Sequence, residues 1–296
     1  MPSLEAPRTS RLCIRTGRRY VPPGMDNRLP FIKMTGAGND FVVIDNRARR
    51  HDLTAALVGR LCDRRFGIGA DGVLAVEPAD GLEADFRMRY YNADGGEAEM
   101  CGNGARCFAR FVQAMPRAET ERVRFLTPAG LITGEYLGAE VRVNLTEPAD
   151  LRLRQRADFG WGEIEYHFAN TGVPHVVLFV PDVEKAGIVA QGRAIRRSPI
   201  FPRGANVNFV QVVDAQNLLV RTYERGVEDE TLACGTGVTA AALLTNRVVG
   251  NPLPLRLKVR SGEVLTVGAR LDGEGFRDVT LTGPAVEVFS GEIRLA

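Results

Sequence analysis

The feature that most constrains this chain is that it repeats itself. Thr35-Gly36 precedes Asn39-Asp40-Phe41-Val42-Val43-Ile44, and Thr171-Gly172 precedes Pro174-His175-Val176-Val177-Leu178, an offset of 136 residues. Tyr91-Asn92 and Tyr223-Glu224 each close an alternating stretch and lie 132 apart. Cys101-Gly102-Asn103-Gly104 returns as Cys234-Gly235-Thr236-Gly237, 133 residues later. Three landmarks in one order at nearly one spacing argue for two homologous halves. The 296 residues suffice for two such units, each of about 130–150 residues with its own core.

Local signals agree within each half. Phe86, Met88 and Tyr90 alternate with Asp85, Arg87 and Arg89, the period of a half-buried strand, and Leu218–Tyr223 stands at the matching place. Asp52 is the expected N-cap of a helix whose Leu53, Leu57, Leu61 and Cys62 share one face. After Cys101, the residues Ala105, Phe108, Ala109 and Val112 fall at helical spacing; after Cys234, Val238, Ala241, Ala242 and Thr245 do the same. Both cysteines therefore sit at or just before a helix N-terminus. Short strands and turn signals such as Ala93-Asp94-Gly95-Gly96, Ser261-Gly262 and Asp272-Gly273 fill the remainder. The expected unit is a sheet packed around a short helix of small residues, made twice.

Composition excludes several classes of function. With 38 basic and 36 acidic side chains the net charge is +2, which gives no general grip on nucleic acid. At 45% hydrophobic and 25% charged the chain reads as an ordinary soluble globular protein. No run approaches the roughly 18 apolar residues of a membrane span. Five cysteines (Cys13, Cys62, Cys101, Cys107, Cys234) are odd in number and too sparse for a disulfide scaffold, which points to a reduced, cytoplasmic compartment. Residues 1–24 carry five arginines and one acid, show no apolar periodicity and end in Pro22-Pro23-Gly24. They read as a disordered basic extension, with a transit peptide or a start at Met25 as alternatives.

A thiol ahead of a helix N-terminus feels unpaired N–H donors and the positive end of the helix dipole, so a lowered pKa is expected at Cys101 and Cys234. Gly102, Gly104, Gly235 and Gly237 permit close backbone approach, and the same N–H groups can hold a carboxylate. If the halves face one another, two sulfurs flank one ligand. That suits inversion of an α-carbon, which needs a base on one face, an acid on the other and donors for the enediolate charge. No metal or pyridoxal cofactor is then required. A single cysteine is more often packing than chemistry, and Cys13, Cys62 and Cys107 are read that way.

The blocks FIKMTGAGNDFVVID (31–45), YYNADGGEAEMCGNGARCFARF (from Tyr90) and VRTYERGVEDETLACGTGVTAA (220–241) resemble the diaminopimelate epimerase family. The resemblance runs from about Leu29 to the C-terminus. It implies an α/β (α+β) fold of two pseudo-symmetric lobes, each a mixed β-sheet wrapped around a central α-helix. The expected division is a lobe over 25–146 carrying Cys101 and a lobe over 147–279 carrying Cys234, with a strand in 280–296 returning to the first. The resemblance also implies a cytoplasmic homodimer that converts LL-2,6-diaminopimelate to the meso isomer without a cofactor, for lysine and peptidoglycan synthesis. Its implied acid/base pair is Cys101 and Cys234. Gly102, Asn103, Gly235 and Thr236 would donate to the reacting carboxylate, and Asn39, Asn92, Asn206, Glu224 and Arg225 would contact substrate. His175 and Glu224 would influence the thiol pKa values. For the polar residues the competing assignment is a turn or cap. Two departures stand out: Val173 replaces the family's asparagine before Pro174-His175, with Asn170 as a possible substitute, and the Glu224–Cys234 stretch is one residue longer than in some members.

Other motifs fail. Gly67-Ile68-Gly69-Ala70-Asp71-Gly72 fits a dinucleotide fingerprint in letters, but a helix-like stretch precedes it and a strand-like one follows. His51, His167 and His175 have no zinc spacing with the cysteines, and no CxxC occurs. The rivals are another cofactor-free isomerase of this architecture, of the proline racemase or phenazine-pathway type, and an amino-acid-binding module with a switchable Cys101–Cys234 disulfide.

Overall fold

The computed structural model describes residues 28–115 and 121–295. The basic leader 1–24 and Cys13 lie outside these residues. The first half runs β1 (Arg28–Gly36), β2 (Asn39–Asp45), α1 (Ala55–Cys62), β3 (Gly72–Glu77), β4 (Phe86–Asn92), β5 (Glu97–Ala98), α2 (Gly102–Gln113), β6 (Arg122–Thr127), β7 (Gly130–Leu137), β8 (Glu140–Asn144) and β9 (Ala149–Asp158). The second half repeats that order: β10 (Glu163–Asn170), β11 (Pro174–Phe179), α3 (Ile188–Arg196), β12 (Asn206–Val212), β13 (Asn217–Glu224), β14 (Asp229–Thr231), α4 (Gly235–Val249), β15 (Leu255–Lys258), β16 (Val264–Asp272), β17 (Gly275–Pro284) and β18 (Val286–Arg294).

Strand pairing repeats as faithfully as strand order. β1–β2 is antiparallel, β2–β3 parallel, β3–β4 antiparallel, β4–β6 parallel, and β6–β7–β8 antiparallel. The series β10–β11–β12–β13–β15–β16–β17 shows the same alternation. The two sheets join through the antiparallel pair β8–β17. The last strand of each half crosses to the other: β9 pairs with β10, and β18 with β1. This reciprocal exchange ties the first described strand to the last and holds the halves in one fixed relation.

Each sheet curls around its own helix. α2 and α4 are buried along most of their length, and their sequences are rich in glycine and alanine. Small residues let the sheet close in; a Cβ on Gly134 of β7 would lie 2.7 Å from Ala109 Cβ. Phe108 of α2 fills the remaining space against Phe125 of β6, with ring centroids 4.6 Å apart. α4 stops at Gly250, whose φ of 91° gives the left-handed conformation that returns its N–H to the carbonyls of Thr245 and Asn246. The cap of α1 is Thr54, whose Oγ1 accepts from Leu57 N, and not Asp52. A cap must sit immediately before the first helical residue to reach those N–H groups, and Leu53 precedes the helix as a buried anchor. The stretch Gly67–Asp71 is a loop leading into β3 at Gly72, as its letters in context require. Among the described residues no helix is long and apolar enough to cross a membrane.

Candidate active site

Cys101 is the N-cap of α2 and Cys234 the N-cap of α4, both with extended backbone. The helix starts abut: a Cβ on Gly235 would lie 3.7 Å from Gly102 Cα and 3.4 Å from Asn103 Oδ1. Asn103 crosses between the halves, donating from Nδ2 to Ala233 O at 3.4 Å. Arg106, fully buried one turn along α2, fixes that amide by donating to Asn103 Oδ1 at 3.0 Å and to the Gly102 carbonyl at 3.2 Å. Leu281 of β17 packs against Gly102 and Gly235 alike. Two helix N-termini and two thiols thus converge, with N–H groups available to an anion.

The surroundings of the two thiols differ in hydrogen-bond polarity. Asn39 stands at the Cys101 side. Its Nδ2 donates to Asp71 Oδ2 at 2.6 Å, which turns Oδ1 toward Cys101 Sγ at 3.6 Å. Gly104 N–H donates to the same sulfur at 3.4 Å. Cys101 therefore has an acceptor for an S–H proton. At Cys234 an amide N–H is the neighbour. Asn206 accepts from Arg225 N–H at 2.8 Å through Oδ1, so its Nδ2 faces Cys234 Sγ at 3.9 Å. Thr236 Oγ1 lies 3.5 Å from that sulfur and 2.9 Å from His175 Nε2.

Burial dominates the electrostatics. Both thiols are pushed above the ordinary cysteine value, first by desolvation and further by the negative charge of Glu224; Gly104 and Asn103 at Cys101, and Thr236 and Gly237 at Cys234, pull the other way. This overturns the lowering expected from the helix N-termini. Weak N–H···S contacts return less than it costs to take a thiolate out of water. Burial also raises Glu224, with Asp71 adding to the effect. His175 is completely buried, and its pKa falls to about 3 through desolvation and the nearby Arg225 charge, so the ring is neutral.

Not every expected residue meets the thiols. Asn92 is exposed at the end of β4, where its carbonyl accepts from Gly95 N–H in the turn. Arg225 packs over Gly204 and donates to the Arg203 carbonyl at 2.8 Å. Asn170 does not fill the place left by Val173; its Oδ1 takes the Gly172 N–H at 3.1 Å within the turn. Its neighbour Thr171 instead ties this loop to α4 by donating to the Thr236 carbonyl at 2.9 Å. Cys62 and Cys107 are buried, with pKa values pushed up to about 11 and about 12 by burial, and serve packing. Sequence reading missed Asp71, Thr171 and Asn208, whose partners here are remote in the chain, and Arg106, whose local bonds to Gly102 and Asn103 count only because tertiary packing buries it. Among the described residues no three of His, Cys, Asp and Glu gather as a metal site.

Comparison with known proteins points the same way. The family model for diaminopimelate epimerase matches residues 31–149 and 167–286. The diaminopimelate epimerase of Aromatoleum aromaticum is 43% identical over 277 residues, covering 90% of this chain and 98% of the relative. That of Chlorobaculum tepidum is 43% identical over 269 residues, covering 88% and 100%. Among solved structures, a hydroxyproline epimerase from Agrobacterium vitis superposes with a TM-score of 0.68 at 17% identity, over 92% of this chain and 94% of that one. A Bacillus anthracis phenazine biosynthesis protein of the PhzF family gives 0.69 at 14% identity, over 90% and 99%. At such identities the likeness speaks for the fold, an α+β architecture with a large mixed sheet.

Proposed function

The chain belongs to the diaminopimelate epimerase family, a family of isomerases, and from that membership we propose that it converts LL-2,6-diaminopimelate to the meso isomer with Cys101 and Cys234 as the two proton-transfer groups. The observation that carries the reading is the abutment of two equivalent helix starts, Gly102 against Gly235, each capped by a cysteine.

The chemistry follows from the site. The substrate carboxylate lies on the N–H groups at the starts of α2 and α4, where the charge of an enediolate is stabilised. The thiolate of Cys234, surrounded by donors, takes the Cα proton from one face. Cys101, whose S–H has Asn39 Oδ1 as acceptor, delivers its proton to the opposite face. The products are the inverted α-carbon, a Cys234 thiol and a Cys101 thiolate, and the reverse reaction exchanges the roles. Because burial raises both thiols, the α-ammonium of the substrate supplies the cation that favours a thiolate in this pocket. Glu224, half-buried beside both thiols, and Arg225 are the candidates for the distal ammonium and carboxylate. The same reading carries lysine and peptidoglycan precursor synthesis, a cytoplasmic location and a homodimer, the last open to sedimentation analysis.

The test is isotope exchange. In deuterated water, folded protein and LL-diaminopimelate should yield the meso isomer with deuterium at the inverted carbon, with other amino acids run in parallel. Folded protein giving neither label nor meso product refutes the proposal, and label in proline alone moves the assignment to a proline racemase.

A further inference from the structure

The two halves place equivalent residues beside the two thiols but give them opposite chemistry. By the 133-residue offset of the cysteines, Asn103 corresponds to Thr236 and Gly104 to Gly237; a Cβ on Gly104 would meet Leu74 and one on Gly237 would meet Asn208, and register agrees, pairing Leu74 with Tyr90 and Asn208 with Thr222. In the first half the position of Asn208 therefore carries a buried leucine, Leu74. In the second half it carries a fully buried amide in contact with His175.

We propose that Asn208 is a positioning residue that locks His175 as its Nε2–H tautomer and so turns the Thr236 hydroxyl proton onto Cys234. The carbonyl of Val176 can only accept, and it lies 3.0 Å from Asn208 Nδ2, which fixes the donor end of the amide. Asn208 Oδ1 accordingly accepts from Thr222 Oγ1 at 2.9 Å. The second Nδ2 proton points at His175 Nδ1, 3.2 Å away, so that nitrogen accepts and the ring proton resides on Nε2. Nε2 then donates to Thr236 Oγ1 at 2.9 Å, and the hydroxyl's own proton is directed to Cys234 Sγ at 3.5 Å. A backbone carbonyl in β11 thereby sets the hydrogen-bond direction at a thiol in another element. The charged groups around the chain are Arg225 at His175, and Glu224 and Cys101 at Cys234. The inference deepens the proposed reaction and rests on Cys234 acting as its proton acceptor.

The tautomer is observable without turnover. Long-range proton–nitrogen NMR of the 15N-labelled full chain reports it for each of the three histidines, with His51→Gln and His167→Gln variants assigning the signals. His175 should show neutral Nε2–H from neutral pH down into the acid range. His167, whose Nδ1 accepts from Arg154 N–H at 2.9 Å, provides an internal reference for the same tautomer. An Nδ1–H ring or an imidazolium at neutral pH in the wild type overturns the proposal. In Asn208→Asp the new carboxylate accepts from Nδ1–H, so His175 should change tautomer while His167 does not. Iodoacetamide labelling located by mass spectrometry should then slow about ten-fold at Cys234, with Cys101 unchanged, the value of one lost hydrogen bond. Equal slowing at both thiols with the tautomer unchanged would reduce Asn208 to packing and refute the inference. If the isotope test failed while the tautomer stood as stated, the epimerase reading alone would fall.

Discussion

Gly104 and Gly237 occupy equivalent positions, three residues after each cysteine, yet alanine should be tolerated at one and not at the other. A Cβ at Gly104 would meet Leu74 Cδ2 at 3.2 Å and nothing else closer than 3.5 Å. A leucine methyl yields by a few tenths of an ångström, and alanine is favoured over glycine within a helix by about 1 kcal/mol. Gly104→Ala should therefore stay within about 1 kcal/mol of wild type. A Cβ at Gly237 would lie 2.3 Å from Asn208 Oδ1 and 3.3 Å from Cys234 Sγ. Asn208 cannot withdraw, because Thr222, Val176 and His175 hold it from three directions. Overpacking costs about 1–3 kcal/mol, and each displaced hydrogen bond adds about 1 kcal/mol. A total near 3–4 kcal/mol is expected for Gly237→Ala. Urea unfolding of both variants, with the slope unchanged, measures the difference. Equal losses, or a neutral Gly237→Ala, would show that the Asn208 contacts are not as tight as described.

Three further outcomes are expected. Cys101→Ala and Cys234→Ala should each lower epimerase turnover by several orders of magnitude with unfolding curves near wild type, since each removes an obligatory proton-transfer group; substantial activity in either variant counts against the two-thiol reaction. Asp40 is held down to about 2; burial opposes the shift, but hydrogen bonds and charge from Arg64 and Lys33 outweigh it. Its folded pKa lies below its unfolded value, so its contribution of roughly 2 kcal/mol is complete above the ordinary carboxylate range and is lost as pH falls from about 4 to about 2; Asp40→Asn should flatten that part of the stability–pH curve. Cys62 and Cys107 should resist alkylation in the folded protein at neutral pH and react on unfolding, as mass mapping with and without urea will show, because burial holds both thiols protonated.

The duplication, the helix starts at Cys101 and Cys234 and the small-residue helices are legible in the amino-acid order, because they are set by contacts within a few residues and by a pattern written twice. Helix capping was legible only to its neighbourhood; Thr54 took the place of Asp52 because a hydroxyl two residues nearer reaches the Leu57 N–H in the first turn. The tertiary structure alone decided how the halves face each other, through β8 against β17 and the exchanged strands β9 and β18. It also decided the thiol energetics: local N–H groups argue for a lowered pKa, but burial depends on walls from both halves, and desolvation outweighs the local effect. Finally, it decided hydrogen-bond direction. An asparagine's letter does not say which end of its amide faces a sulfur; Asp71, 32 residues from Asn39, and Arg225, 19 from Asn206, make that choice. Residue type sets what a group can donate or accept, and only packing sets where it points.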